Sequence, residues 1–423
     1  MKILVIGSGG REHALCRTFA KSPRVEKIYC ADGNAGINEI AETVPIKPSE
    51  IEKLAAFAEK NRIDLSFVGG ETALALGIAD EFARRGLNVI GTSRRASMLE
   101  ASKAFAKDFM MRQSIPTARY RTAHSVAEAA EILESGFFGG VAAATVVKAD
   151  GLAAGKGVVV AASRAEALAA VAELEALAGR DAAAKIVLEE RLEGREVSLI
   201  LFADGEDFAL MPPVRDHKRI FEGDRGANTG GMGTVSDDSL LSGAETAEIV
   251  ERIVRPTLKG CADEGFPLRG ILFLGLMMTA AGPRVLEYNT RFGDPETQCI
   301  LVRLATDLTE ICEAMLSGRL GRTIIEWLPG AAACVVLAAR GYPSKAETGD
   351  AIEGLEAAAR HENVEVFHAG TARAPDGRLV TAGGRVLGVT ARGEDLGQAL
   401  DRAYRAVDEI SWSGMQYRRD IGK

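Results

Sequence analysis

The first hundred residues restrict the fold more than any other stretch of this chain. Apolar, β-branched runs at 2–6, 27–30, 65–68 and 88–90 read as strands, and helical patterns fill 11–20, 49–60 and 72–85. Strands that alternate with helices imply a parallel sheet with helices on its faces. Such sheets collect ligands at the carboxyl ends of their strands. Here those ends carry Gly7-Ser8-Gly9-Gly10, Asp32-Gly33-Asn34-Ala35-Gly36 and Gly69-Gly70-Glu71.

The rest of the chain is organised differently. At 423 residues it exceeds what one hydrophobic core supports, so several domains are expected. After a helix at 102–113, strand patterns at 145–149, 157–162, 185–190 and 196–202 surround an Ala-rich helix at 165–177. An antiparallel pair is predicted at 271–278 and 284–288. Residues 215–235 lack periodicity and read as one long loop. Beyond 331 the pattern turns β-rich, with strands at 332–338, 364–367, 378–381 and 384–390 and one helix at 395–410. The expected class is α/β and α+β multidomain: an N-terminal parallel-sheet, Rossmann-like domain (1–101), a mixed region (102–326) with a smaller lobe at about 119–190, and a β-rich C-terminal domain (327–423).

The segment Val146 to Val160, VVKADGLAAGKGVVV, resembles a P-loop but fails that test twice. Gly151 and Gly155 enclose three residues where the P-loop needs four, and Lys156 is followed by Gly157 rather than Ser or Thr. A returning strand, not a helix, follows. The reading is a glycine-rich hairpin with Lys148 at its base and Lys156 near its tip, able to fold over a polyphosphate. An ordinary surface hairpin is the competing reading. At the N-terminus, Gly7 and Gly9 match two glycines of a dinucleotide fingerprint, but Glu12 stands at the third and argues against that cofactor. Arg11 at a helix start suits a small phosphate better.

The richest polar stretch is Val285 to Gln298, VLEYNTRFGDPETQ. Glu287 and Asn289 alternate along a strand, so both project from one face and offer two hard oxygen ligands suited to Mg²⁺. Arg291 continues the alternation and can meet a carboxylate; Asp294 and Glu296 follow. Glu189, Glu190, Leu192 and Glu196 flank a Glu193-Gly194 turn, where a hinge could read adenine and ribose or a charged hairpin could simply face solvent. The 215–233 segment holds Asp216, His217 and Lys218, then Asn228 and the consecutive Gly230-Gly231, whose N–H groups could enclose an anion. His217 reads as a hydrogen-bonding partner rather than a general base.

Net charge of −8 gives no reason to expect nucleic-acid or membrane-surface binding. Six scattered cysteines form no metal or redox motif and suit a reducing cytoplasm. The start MKILVIGSGG reads as strand and turn rather than a leader, and no apolar run approaches a membrane span.

Together these segments resemble the ATP-grasp ligases, and among them the glycinamide ribonucleotide synthetase family. The resemblance rests on GSGGREHAL, SKAFAKDFM, IPTA, VVKADGLAAGKGV, DHKR with NTGGMG, EYNTRFGDPETQ and VFHAGTARAPDGRLVTAGGRVLGVTA, and it covers nearly the whole chain. It implies a two-lobed ATP-grasp region over 102–326. It also implies an ATP-dependent ligation of glycine to 5-phosphoribosylamine through glycyl phosphate, with no covalent protein nucleophile. Lys103, Lys148, Gly151, Gly155, Lys156 and Gly157 would hold the ATP phosphates; Glu189, Glu190 and Leu192 would surround adenine, with Glu196 near the ribose. Glu287 and Asn289 would hold Mg²⁺, or Mn²⁺ in its place. Arg291 with Asn228, Gly230 and Gly231 would bind the glycine carboxylate and its acyl phosphate, with Lys218 nearby. Asp216 and Asp294 are candidates for the glycine ammonium. Gly9, Gly10, Arg11, Glu12, Asn34, Glu71 and Arg385 would face phosphoribosylamine. Arg291, Lys148 and Asp294 are the residues expected to serve the chemistry, and a monomer is expected.

The chain departs from the family pattern at Gly70, usually proline, and at Ala227 and Asp237. It also lacks a carboxylate on the strand containing Phe273-Leu274-Gly275-Leu276. An ATP-grasp ligase for another substrate pair, a non-catalytic nucleotide-binding protein and a dehydrogenase are the alternatives.

Overall fold

The computed structural model describes residues 1–151, 157–178 and 184–423, so Gly155 and Lys156 of the glycine-rich segment lie outside the described residues. The N-terminal domain is a five-stranded parallel sheet in the order Glu42–Val44, Lys27–Asp32, Lys2–Gly7, Leu65–Val68, Val89–Ile90. Its central strand has no polar face. Ile3 and Val5 pack with Phe19 and Phe67 on one side, and Leu4 and Ile6 with Leu54 and Phe82 on the other. Burying each such side chain stabilises the fold by about 1.5–3 kcal/mol, which is why a continuous apolar run sits at the sheet centre. The helix expected at 72–85 is two helices, Glu71–Ala75 and Ile78–Arg84, divided at Gly77, whose φ of +88° breaks helical geometry.

A small lobe carries four described antiparallel strands in the order Tyr120–Ala123, Ile186–Glu190, Thr145–Ala149, Val158–Ala161. The helices Val126–Glu134 and Arg164–Ala178 contribute Ala129, Leu133, Ala167 and Val171 to its core. The returning strand at Val158–Ala161 pairs with Thr145–Ala149, as a hairpin requires and a P-loop does not.

The larger sheet runs in the order Gly282–Asn289, Arg269–Thr279, Arg195–Asp204, Val214–Asp216, Gly233–Ser236, Ala331–Ala338, Arg385–Gly393, Val364–His368. Pairing of Gly233–Ser236 with Ala331–Ala338 carries this sheet from the mixed region into the C-terminal region. Residues 215–235 are therefore not one long loop. They supply two of these strands and an intervening hairpin, Arg219–Phe221 with Arg225–Asn228. The strands are three or four residues long and rich in Gly, Asp and Arg, so no hydrophobic period marks them. A second correction concerns 186–204: the strands either side of Glu193-Gly194 belong to different sheets, making the turn a connection between lobes and not a hairpin. All six cysteines are buried free thiols. Among the described residues no helix is long and apolar enough to cross a membrane.

Candidate functional site

A cleft of about 120 Å³ lies between the small lobe and the larger sheet. Glu71, Glu100, Lys103, Lys107, Lys148, Gly151, Glu189, Glu287, Asn289 and Arg291 line it. Its lysines reach it from two elements. Lys103 opens the helix Lys103–Arg112, which is capped by Ser102, and its Nζ donates to the Gly151 carbonyl at 2.9 Å. Asp150 secures the same junction by accepting from Ser102 Oγ (3.0 Å) and Ala104 N (3.0 Å). Burial pulls the Lys103 ammonium down from its usual range, against the attraction of Glu287.

Lys148 bridges the lobes. Its strand lies in the small sheet, yet its Nζ donates to the Leu286 carbonyl at 3.2 Å in the large one. That carbonyl is free because the strand bulges there: Gly275 opposes Glu287 while Leu276 opposes Val285, leaving Leu286 as the extra residue. Lys148 also pairs with Glu189 Oε1 at 2.7 Å. The other Glu189 oxygen accepts from Lys107 Nζ at 2.9 Å, and Lys107 donates to Thr117 Oγ1 at 2.7 Å. Burial would raise the Glu189 carboxyl, but Lys148 and Lys107 hold it below the usual range. Lys107 has the opposite balance: burial, aided by Lys148, pushes it down to about 8 despite Glu189. The Glu189 side chain is thus held by two ammonium groups, while its backbone is paired on both sides within the small sheet.

Glu287 and Asn289 project into the cleft as their alternation predicts. Gly275 makes this possible for Glu287, since a Cβ there would stand 3.1 Å from Glu287 Cγ. Lys218, with Nζ 3.4 Å from Glu287 Oε1, holds that carboxyl down at about 2 against burial. A half-exposed, ionised carboxylate beside an amide oxygen, already balanced by a cation, fits a divalent ion. Among the described residues no group of three His, Cys, Asp or Glu is arranged to hold a metal. Two protein oxygens suit Mg²⁺, which completes its shell with water and phosphate. Arg291 stands beyond the strand end, with Nη2 3.3 Å from Asn289 Oδ1.

A second cluster adjoins this one where the helix Gly10–Ala20 begins. Glu12 accepts from Gly9 N at 2.6 Å and from Arg11 Nε at 2.7 Å, a helix cap that uses the carboxylate internally. Gly7 and Gly69 leave room for it; a Cβ at Gly69 would lie 2.0 Å from Glu12 Oε1. The charge that argued against a dinucleotide is therefore buried under the turn. Arg11 Nη1 donates to Phe292 O at 2.9 Å, and Arg11 N to Asp294 Oδ2 at 3.3 Å. Arg385 reaches the same loop, donating to Asp294 O at 2.6 Å and to Gly230 O, and its Nη2 lies 3.5 Å from Asp294 Oδ1. Burial would raise Asp294, yet Arg385 and Arg11 keep it below the carboxylate range. Glu71 is kept low likewise, by Arg291 and Arg11 against burial. Asp216 behaves otherwise: burial and Glu296 push it up to about 8.

Other expected residues stand apart. Asn34 donates to Ser8 O (2.8 Å) and His368 O (2.9 Å) and accepts from Gly36 N and Ile37 N, which commits its whole side chain. Gly230 N donates to Tyr342 Oη (3.1 Å) and Gly231 N to Thr229 Oγ1 (3.0 Å), so the expected anion nest is engaged internally. Asn228 sits in the hairpin opposite Arg219. Glu190 pairs with Arg119 at 2.6 Å, Leu192 is half-buried on the lobe connection, and Glu196 is exposed near the start of the strand Arg195–Asp204. Gly157 closes the flap where its N-terminal strand ends, its carbonyl accepting from Ala149 N at 2.8 Å. His217 is a structural partner, with Nδ1 3.2 Å from Gly233 O and Nε2 accepting from Gly422 N. Sequence reasoning missed Glu100 and Lys107. Lys107 could have been found from its i, i+4 spacing to Lys103 on one helix face; Glu100 carried no such signal.

A small antiparallel lobe and a large sheet facing each other across a lysine-lined cleft, with a glycine-rich hairpin at its edge, define an ATP-grasp enzyme. Family models extend this along the chain: the phosphoribosylglycinamide synthetase N domain matches residues 1–100, its ATP-grasp (A) domain 101–297 and its C domain 332–423. The chain belongs to the phosphoribosylglycinamide synthetase family. A phosphoribosylamine–glycine ligase from Caldanaerobacter subterraneus subsp. tengcongensis is 44% identical over 422 residues, covering 100% of this chain and 99% of the relative. One from Pasteurella multocida is 46% identical over 427 residues, covering 100% and 97%. The crystal structure of the Thermotoga maritima phosphoribosylamine–glycine ligase matches with a TM-score of 0.84 at 34% identity, over 99% of this chain and 100% of that one. The biotin carboxylase domain of Hydrogenobacter thermophilus 2-oxoglutarate carboxylase shares the fold at TM-score 0.72 and 16% identity, over 98% and 91%.

Proposed function

We propose that this chain uses ATP to join glycine to 5-phosphoribosylamine, giving glycinamide ribonucleotide, ADP and phosphate. The observation that carries this reading is the meeting of Lys103, Lys148, Glu287, Asn289 and Arg291 in one cleft, adjoined by the Arg11–Asp294–Arg385 cluster. A glycine carboxylate oxygen attacks the γ-phosphorus, and the bond to the bridging oxygen of ADP breaks. The amine nitrogen of phosphoribosylamine then attacks the acyl carbon, and phosphate leaves with the former carboxylate oxygen. Lys103 and Lys148 neutralise the phosphates, and Arg291 holds the carboxylate in line. A divalent cation on Glu287 and Asn289, Mg²⁺ or Mn²⁺, would neutralise further phosphate charge. Ionised Asp294 can pair with the glycine ammonium, and the proton that the amine releases as the amide forms can leave with the phosphate.

The Leu192 backbone, on the connection between lobes, suits the adenine edge, and exposed Glu196 suits ribose hydroxyls. Arg11 and Arg385 suit the amine substrate's phosphate. The proposed form is a monomer, and six free buried thiols suit the cytoplasm. The test is ADP release with ATP, glycine and freshly made phosphoribosylamine, omitting each substrate in turn. Release that needs both substrates supports the proposal. Release that ignores both overturns it, and release with a different carboxylate or amine reassigns the pair.

A further inference from the structure

Arg291 has five N–H donors, and the surrounding protein commits most of them. Nη2 lies 2.8 Å from Glu100 Oε1 and 3.3 Å from Asn289 Oδ1. Nη1 donates to Phe292 O at 3.1 Å. Nε is 3.3 Å from Glu71 Oε2. The two carboxylates differ in kind. The Glu71 side chain is 35% exposed and can turn away to solvent or to a substrate, whereas that of Glu100 is 7% exposed. The second oxygen of Glu100 is also fixed, accepting from Thr290 N at 2.8 Å and Thr290 Oγ1 at 3.3 Å. Glu100 thus grips both Arg291 and the backbone one residue before it.

We propose that Glu100 is a positioning residue for the reaction, holding the Arg291 guanidinium where its remaining Nη1 hydrogen and its Nε, which makes no hydrogen bond to the described residues, face the carboxylate substrate. Burying a carboxylate is costly unless it is paired, and among the described residues this one pairs with the arginine and the Thr290 groups. An ion pair this close, anchored on its far side by two hydrogen bonds from Thr290, limits where the guanidinium can sit. Glu100 itself does not enter the reaction.

The inference rests on the reading of Arg291 as the carboxylate-binding group. Its test is steady-state ADP release by Glu100→Gln and Glu100→Asp in the full chain, varying glycine and ATP separately, with thermal melting beside it. For Glu100→Gln, the glycine KM should rise about tenfold or more while the ATP KM stays within about twofold. Glu100→Asp keeps the charge and should recover part of the loss; it also carries the test if Gln at 100 does not fold. Unchanged glycine KM in a folded variant overturns the proposal, as does an equal rise in both KM values that follows the melting temperature. A wild-type chain that releases no ADP with glycine and phosphoribosylamine overturns instead the reading of the function.

Discussion

Two carboxylates, one buried and one half-buried, show how local surroundings decide what a residue does. Glu189 is kept ionised by Lys107 and Lys148, and through it Lys107 steadies a lysine it never touches. Lys107→Met removes one partner of a buried ion pair. It should cost about 3 kcal/mol in urea unfolding and raise the ATP KM while leaving the glycine KM near its original value. Asp216 is the opposite case, with its carboxyl pushed up to about 8 by burial and Glu296. Well below an unfolded aspartate's value of 3.8 both states carry the proton; between there and about 8 only the unfolded state ionises. Stability therefore falls as pH rises through that window. Asp216→Asn mimics the protonated form, so its melting temperature should match the parent near pH 4 and exceed it increasingly toward pH 8. A constant offset across that range would refute the assignment. Both residues were visible in the sequence as charges. Their partners were not, because Glu296 is far from Asp216 in the chain and only the packing of its helix on the folded sheet joins them.

At the scale of elements, the parts legible in the sequence were those with a clear period. The strand Thr145–Ala149 and the pair Arg269–Thr279 with Gly282–Asn289 follow apolar runs that a sheet interior demands. The bulge at Leu286 was not legible, although it supplies the carbonyl that receives Lys148; a one-residue insertion leaves no mark on hydrophobicity. Nor were the short strands between 214 and 236, which owe their pairing to neighbours rather than to their own composition. The glycine turn at the N-terminus does open a helix, as expected, but the role of Glu12 as its cap was missed. Gly69→Ala tests that cap, because its Cβ would strike the Glu12 carboxylate. Displacing Glu12 also frees Arg11, so the KM for phosphoribosylamine should rise about tenfold while the ATP KM holds.

For the molecule as a whole, the sheet that continues from Gly233–Ser236 into Ala331–Ala338 makes the C-terminal region part of the site's frame. Arg385 enters from that region to hold the Asp294 loop, and Arg11 enters from the parallel sheet to meet it. Arg385→Met should therefore raise the KM for phosphoribosylamine about tenfold and leave the ATP KM unchanged, since the lysine-lined cleft does not depend on it. Equal effects on both would mean that the two clusters do not divide the work. The central claim is that ATP activates a carboxylate in this cleft before the amine attacks. Glycine carrying ¹⁸O in both carboxylate positions tests it directly, with mass spectrometry of the released phosphate. Activation through glycyl phosphate predicts one ¹⁸O in each phosphate and one retained in the amide. Phosphate free of label would contradict it.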